Sequence, residues 1–193
     1  IRTTLKTSGS TAPGPDGIRY KDITDLSKDD IEELVKEFNV SIQDGEIREE
    51  WLHSYLLPLL KPNKDHSQIA GYRIIAPQNT TGKLLEKIMA RRLAWDLENR
   101  HILPPTLGGY RSGKETWCNA AVFTYDVFEG FHAGIETCAA MVDLEDAYNR
   151  VPYDYLMHQL IKLQVHPLYI RWIAAALFKR KVVLRCGSWF LNR

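Results

Sequence analysis

Cysteine is scarce and unpaired in this 193-residue chain. Cys118, Cys138 and Cys186 form no C-x-x-C unit, and the six histidines form no H-x-x-x-H unit. That spacing indicates neither a structural zinc site nor a disulfide framework, and it fits a reducing intracellular setting. No apolar run is long enough to span a bilayer and no signal-peptide pattern opens the sequence, so no membrane partner is expected. Repeats and low-complexity tracts are missing too. A strong net charge is also missing: the formal value is +1. The balance conceals an asymmetry, because residues 1–66 hold 9 Lys/Arg against 13 Asp/Glu while residues 67–193 hold 16 against 11. Basic residues bunch in "KIMARRL" and "FKRKVVLR", which read either as solvated faces or as contacts for an anionic partner.

What is present is a hydrophobic fraction of 45%, enough to bury a core in one or two domains. The Gly-, Pro- and Ser-rich "KTSGSTAPGPDGIRY" predicts a loop with constrained turns. Ser27 with Asp30 forms a capping box, and Ile31, Leu34, Val35, Phe38 and Ile42 recur at helical spacing, so a helix is expected over 28–44 with Gly45 closing it. "WLHSYLLPLLKP" and "YRIIAP" read as strands bounded by proline, joined by the exposed hairpin tip "KPNKDHSQIAG". A long amphipathic helix is expected over 81–99. Ser112 with Glu115 forms a second capping box opening a helix to about Phe128. "CAAMV" reads as a strand, followed by helices from about Asp154 to Gln164 and over "PLYIRWIAAALFKR", and "KVVLRCGSWF" as an edge strand. The Asn79-Thr80-Thr81 match to a glycosylation acceptor is read as chance.

The chemistry concentrates in "AAMVDLEDAYNRVPY", where an apolar segment runs into Asp143, Glu145 and Asp146. Crowded carboxylates are costly unless a cation compensates them. Three readings compete. Acids at a helix start interact favourably with its dipole, by about 0.3–1 kcal/mol. A nucleotide hydrolase is a second reading, since Gly108, Gly113 and Lys114 fit G-x-x-x-x-G-K. It is weakened by Glu115, which stands where a magnesium-binding hydroxyl belongs, and by the prolines before the loop. A polymerase is the third: a strand-end Asp and a neighbouring carbonyl are hard oxygen donors of the kind magnesium takes beside a triphosphate. An aromatic ring five residues on, Tyr148, can then lie beneath the incoming sugar.

Four blocks in order decide among these. "TAPGPDGI" (11–18), "WLHSYLLPLLKPNKDHSQIAGYRIIAPQNTTGKLLEKIMARRL" (51–93), "LPPTLGGYRSGKETWCNA" (103–120) and "AAMVDLEDAYNRVPYDYLMHQL" (139–160) together resemble the reverse transcriptase domain of non-LTR (LINE-type) retrotransposons, and more distantly group II intron maturases. The resemblance spans nearly the whole chain. It implies an α+β fold of reverse transcriptase fingers and partial palm, with helices on small antiparallel sheets. The fingers region is expected over 1–136 and the first part of the palm over 137–193.

Carried over residue by residue, the resemblance implies Asp143 as catalytic residue and metal ligand, with the Leu144 carbonyl helping to hold Mg2+. Lys61, Arg73 and Tyr148 would bind the deoxynucleotide, Tyr148 discriminating its sugar. Tyr110, Arg111 and Lys114 would meet the template. Asp146 and Glu145 are read as neutralising local bases or capping a helix, and "GPDG" as a structural turn set by Pro15 and Gly17. Three departures stand out: Ile74 where the family usually has Pro, Asn149 for Asp, and Gly108 for Gln.

The family's G-x-P-Q-G-S helix and aromatic-Ala-Asp-Asp hairpin do not occur in these residues. Asp143 alone is therefore expected to hold magnesium weakly, and this chain alone to be inactive as a polymerase. The expected partners are an RNA template, a DNA primer and a deoxynucleotide, with self-association through the truncated palm. The expected setting is a ribonucleoprotein in nucleus and cytoplasm. The alternative class is a non-catalytic RNA-binding or self-associating module.

Overall fold

A computed structural model describes residues 1–9, 11–144, 147–186 and 189–192. In chain order the elements are α1 (Arg2–Lys6), α2 (Tyr20–Thr24), α3 (Lys28–Asp44), β1 (His53–Leu60), β2 (Tyr72–Ile75), α4 (Thr80–Asn99), α5 (Thr116–His132), α6 (Tyr153–Lys162), α7 (Pro167–Phe178), β3 (Lys181–Cys186) and β4 (Trp189–Asn192). The chain divides into two compact units, residues 1–91 with 159–193 and residues 92–158.

The first unit is built as helices against a sheet. α3 starts at Ser27, whose hydroxyl accepts from the Asp30 amide, and stops at Gly45, which takes the left-handed conformation at φ 68°. Only glycine adopts that conformation without steric cost, so the helix ends there. The inward face of α3 buries Ile31 and Phe38, and Phe38 meets Trp51 edge-to-face at 5.2 Å. Leu84 and Leu85 of α4 lie at 0% exposure and share the core with Met89, Ile23, Tyr20, Leu52 and Trp172 of α7.

The sheet runs β2-β1-β3-β4. β1 and β2 form the expected hairpin, antiparallel, with Leu59 opposite Arg73 and Leu57 opposite Ile75. β3 lies parallel to β1, pairing Tyr55 with Val183, and turns back antiparallel into β4. The expected lone edge strand is thus an interior strand followed by its own partner, because helix α7 supplies the crossover that a parallel pairing requires.

The "GPDG" segment is a reverse turn, closed by the Gly17 amide donating to the Gly14 carbonyl at 3.1 Å, with Pro15 at the second position. It is locked to the start of α4: the Asp16 amide donates to Asn79 Oδ1 at 3.1 Å, and Thr80 Oγ1 donates to the Ile18 carbonyl at 2.5 Å. A Cβ on Gly14 would lie 2.3 Å from the Asn79 nitrogen, so the approach requires glycine. Asn79 is buried with both ends of its amide bonded, which removes it as a glycosylation acceptor.

The second unit departs from expectation twice. Residues 137–144 form no strand. A strand exists by pairing, and no described strand pairs with this segment. The helix expected from Ser112 begins instead at Thr116, with Glu115 at the cap making no side-chain cap bond. Gly113 stands at φ 73°, a left-handed conformation that keeps it out of a helix, and Glu115 is extended, so the first helical residue is Thr116. Glu145 and Asp146 lie outside the described residues, and so does any cap they would make.

Candidate nucleotide and nucleic-acid site

The hairpin β1–β2 carries two of the expected nucleotide contacts. Because directly opposed residues of an antiparallel pair project to the same face, Arg73 shares a face with Leu59. Lys61 lies two positions beyond Leu59, and its amide continues the ladder by donating to the Gly71 carbonyl at 2.8 Å. Lys61 and Arg73 are therefore diagonal neighbours on one face of the hairpin, a separation of about 7–8 Å between such positions. Lys61 Nζ donates to the Ala70 carbonyl at 3.1 Å. Arg73 is exposed and makes no side-chain hydrogen bond or ion pair among the described residues. A strand buried on both faces would have demanded a partner for this charge; β2 is exposed from Arg73 onward and makes no such demand.

The joint beside this hairpin is polar, with Gln78 buried and Glu86 and Arg180 partly buried. Gln78 Nε2 donates to the Trp51 carbonyl at 3.1 Å and to Glu86 Oε1 at 2.9 Å. Arg180 completes it, donating to Glu86 Oε1 at 2.6 Å and to Gln78 Oε1 at 3.4 Å. This joint ties the end of β2 to α4 and to the start of β3, and so fixes the root from which Lys61 and Arg73 project.

In the second unit, Arg111 is taken up by protein. Its Nε and Nη2 form a two-pronged bond to Glu98, each at 2.6 Å, and Nη1 donates to the carbonyls of Pro104 and Leu107 at 2.7 and 2.9 Å. The hydrogen bonds from Arg111 hold the Glu98 carboxyl below its ordinary range, and those to Glu98 push the guanidinium above its own. Committed to these four acceptors, the side chain staples the loop and leaves its neighbour outermost. Tyr110 is 96% exposed at φ 59°, a left-handed position that turns the ring out.

Tyr110 meets Tyr148 through their hydroxyls, with ring centroids 6.4 Å apart and nearly perpendicular. That bond raises the Tyr148 phenol above its usual value. Two residues expected to serve template and sugar are thus neighbours, although 38 positions apart. Lys114 is exposed and borders an open groove of about 400 Å³ with Pro105, Thr106, Cys118, Asn119 and Phe123. The segment entering the loop is a run of turns after Pro104 and Pro105 and not a strand, which removes the structural setting a hydrolase phosphate loop needs.

Asp143 is exposed, and its carboxylate has no protein partner among the described residues. With the Leu144 carbonyl it offers two hard oxygens suited to magnesium. No group of three His, Cys, Asp or Glu side chains gathers among the described residues. Lys61 and Arg73 belong to the first unit; Tyr110, Arg111, Lys114, Asp143, Leu144 and Tyr148 belong to the second.

Sequence reasoning missed the Glu98 partner of Arg111 and the Gln78–Glu86–Arg180 joint. Neither leaves a trace in local spacing, since Arg180 and Glu86 lie 94 positions apart.

The four ordered sequence blocks point to a polymerase family. The model of the family described as reverse transcriptase (RNA-dependent DNA polymerase) matches residues 60–190, and the chain belongs to that family. It is also 27% identical over 158 residues to a probable RNA-directed DNA polymerase from transposon BS of Drosophila melanogaster, an alignment covering 82% of this chain. The chain spans 17% of that relative's length.

Proposed function

We propose that the chain supplies the fingers and the first part of the palm of a non-LTR retrotransposon reverse transcriptase, the fingers over 1–136 and the palm from 137. The observation that carries this reading is the placement of Lys61 and Arg73 on one exposed face of the β1–β2 hairpin. Arg73 has a fork able to bond two phosphate oxygens at once, and Lys61 acts as a point charge beside it. Together they suit the triphosphate of an incoming deoxynucleotide. Tyr110 and Lys114 suit a template strand by stacking and by charge, while Arg111 holds their loop in shape. Tyr148 is the sugar discriminator, with its hydroxyl bonded to that of Tyr110. Asp143 and the Leu144 carbonyl would hold magnesium, which when bound supplies charge neutralisation at the α-phosphate and activation of the primer hydroxyl. The parent reaction is RNA-templated DNA synthesis.

Photo-crosslinking with an azido-substituted deoxynucleoside triphosphate tests the hairpin assignment. Label is expected within residues 53–75. Arg73→Ala is expected to weaken nucleotide binding about 10-fold or more, the loss of a charge-assisted phosphate contact. Label confined to other segments, or unchanged binding by Arg73→Ala, would overturn it.

A further inference from the structure

A second group of cations lies outside the nucleotide reading. Lys83, Lys87 and Arg91 recur every four residues along α4, about 6 Å apart per step and about 12 Å in all. Lys83 Nζ donates to the Ala12 carbonyl at 2.8 Å and to Thr11 Oγ1 at 3.4 Å, and Lys87 Nζ to Ser8 Oγ at 3.0 Å. Arg91 donates to Thr4 Oγ1 at 3.3 Å and to Thr7 Oγ1 at 2.5 Å. Every one of these acceptors is a neutral oxygen. The Thr7 and Ser8 hydroxyls give their own protons to main-chain carbonyls, which leaves them facing the cations as acceptors. The cations are held in position without being neutralised.

Several hydrogen-bonded cations elsewhere in the fold are neutralised instead. Arg48, Arg111, Lys179 and Arg180 each pair with a glutamate. None of the three α4 cations has a carboxylate ion pair among the described residues; only the more distant field of Asp16 reaches Lys83. Lys83 and Lys87 also share one aromatic face, 5.9 and 4.7 Å from the ring centre of Tyr20. The buried Tyr20 hydroxyl beneath them has no hydrogen-bond partner among the described residues. Burial and the neighbouring Lys87 both weaken the hold of Lys83 on its proton, and a nearby anion reverses that.

We propose that the stripe Lys83–Lys87–Arg91 binds the phosphate backbone of a nucleic-acid strand. Its length of about 12 Å faces three to four phosphates at about 3.4 Å of axis per charge on one strand. Lys83 and Lys87 reach phosphates as point charges, and the Arg91 fork is held by the Thr4 and Thr7 hydroxyls, so the contact reads no base and is independent of sequence. The inference rests on the nucleic-acid part of the proposed function and uses none of the nucleotide-site residues.

The test is fluorescence anisotropy of a labelled single-stranded RNA of mixed sequence, titrated with the chain between about 50 and 200 mM salt. Each phosphate contact contributes about 0.7 to the logarithmic salt slope. The double variant Lys83→Gln/Lys87→Gln is expected to lower the slope by about 1.4 and so to lose about 7-fold less affinity across that range. Lys83→Arg/Lys87→Arg is expected to restore the slope. Arg91→Gln, at the exposed end, is expected to lower it by about 0.7 and decides the matter if the double variant fails to fold. An unchanged slope in a folded variant, or equally tight binding of poly-glutamate, would overturn the proposal. Failure of the hairpin assignment would instead alter nucleotide crosslinking and leave these slopes intact.

Discussion

Replacing Gln78 by Leu removes a buried donor at little change in volume, and the structure fixes what is lost. Two donated bonds go, to the Trp51 carbonyl at 3.1 Å and to the Glu86 carboxylate at 2.9 Å, along with the long 3.4 Å bond that Gln78 Oε1 accepts from Arg180, which adds little. The first is neutral, worth about 1 kcal/mol; the second meets a charged group but one still partly open to water, so about 1–2 kcal/mol is appropriate. The sum is about 2–3 kcal/mol, a large share of the stability of an ordinary domain. For a chain of this size it corresponds to a fall of about 4–12 °C in melting temperature, read by circular dichroism and checked by the urea midpoint. Gln78→Glu sharpens the test. It cannot donate to Trp51 when ionised, and it sets a second carboxylate beside Glu86. Its deficit relative to the parent chain is expected to shrink as pH falls, since one proton shared between the acids restores a donor. The reasoning fails if Gln78→Leu unfolds within about 0.5 kcal/mol of the parent, or if acid brings Gln78→Glu no recovery.

Two further outcomes follow from packing and charge. A Cβ on Gly82 would lie 2.1 Å from the Trp51 carbonyl oxygen, so Gly82→Ala is expected to destabilise by about 1–3 kcal/mol, outweighing the helix propensity gained; Gly109→Ala, with nothing within 4 Å, serves as the near-neutral control. The depressed Glu98 carboxyl contributes stability that is complete above the ordinary carboxylate range and is lost as pH falls through its lowered value. The urea midpoint of the parent chain should therefore fall more steeply on acidification than that of Glu98→Gln, and parallel curves would refute the Arg111 staple.

Much of the first unit is legible in the order of its residues. Ser27, Asp30 and Gly45 delimit α3 by local capping chemistry, and the proline-bounded β-rich runs around residues 53–75 announce a hairpin. These features depend on neighbours a few positions away, which a linear reading can see. The ordered blocks likewise carry the family. The second unit is harder to read. "CAAMV" has strand composition, yet a strand is made by a partner, and none of the described strands adjoins it. Ser112 and Glu115 have the spacing of a capping box, yet Gly113 is left-handed and Glu115 extended, so the helix starts at Thr116.

Residue order thus suffices for the limits of α3, the hairpin, the family and the candidates Lys61, Arg73, Tyr110, Arg111, Lys114, Asp143, Leu144 and Tyr148. Their circumstances come from the folded chain. Folding sets Arg73 in solvent and commits Arg111 to Glu98. It joins Tyr110 to Tyr148 and leaves Lys83, Lys87 and Arg91 with neutral hydrogen-bond partners. The physical reason is that a charge is defined by what surrounds it: side-chain type and spacing follow from the chain, whereas desolvation, counter-ions and hydrogen-bond partners come from segments far away in sequence.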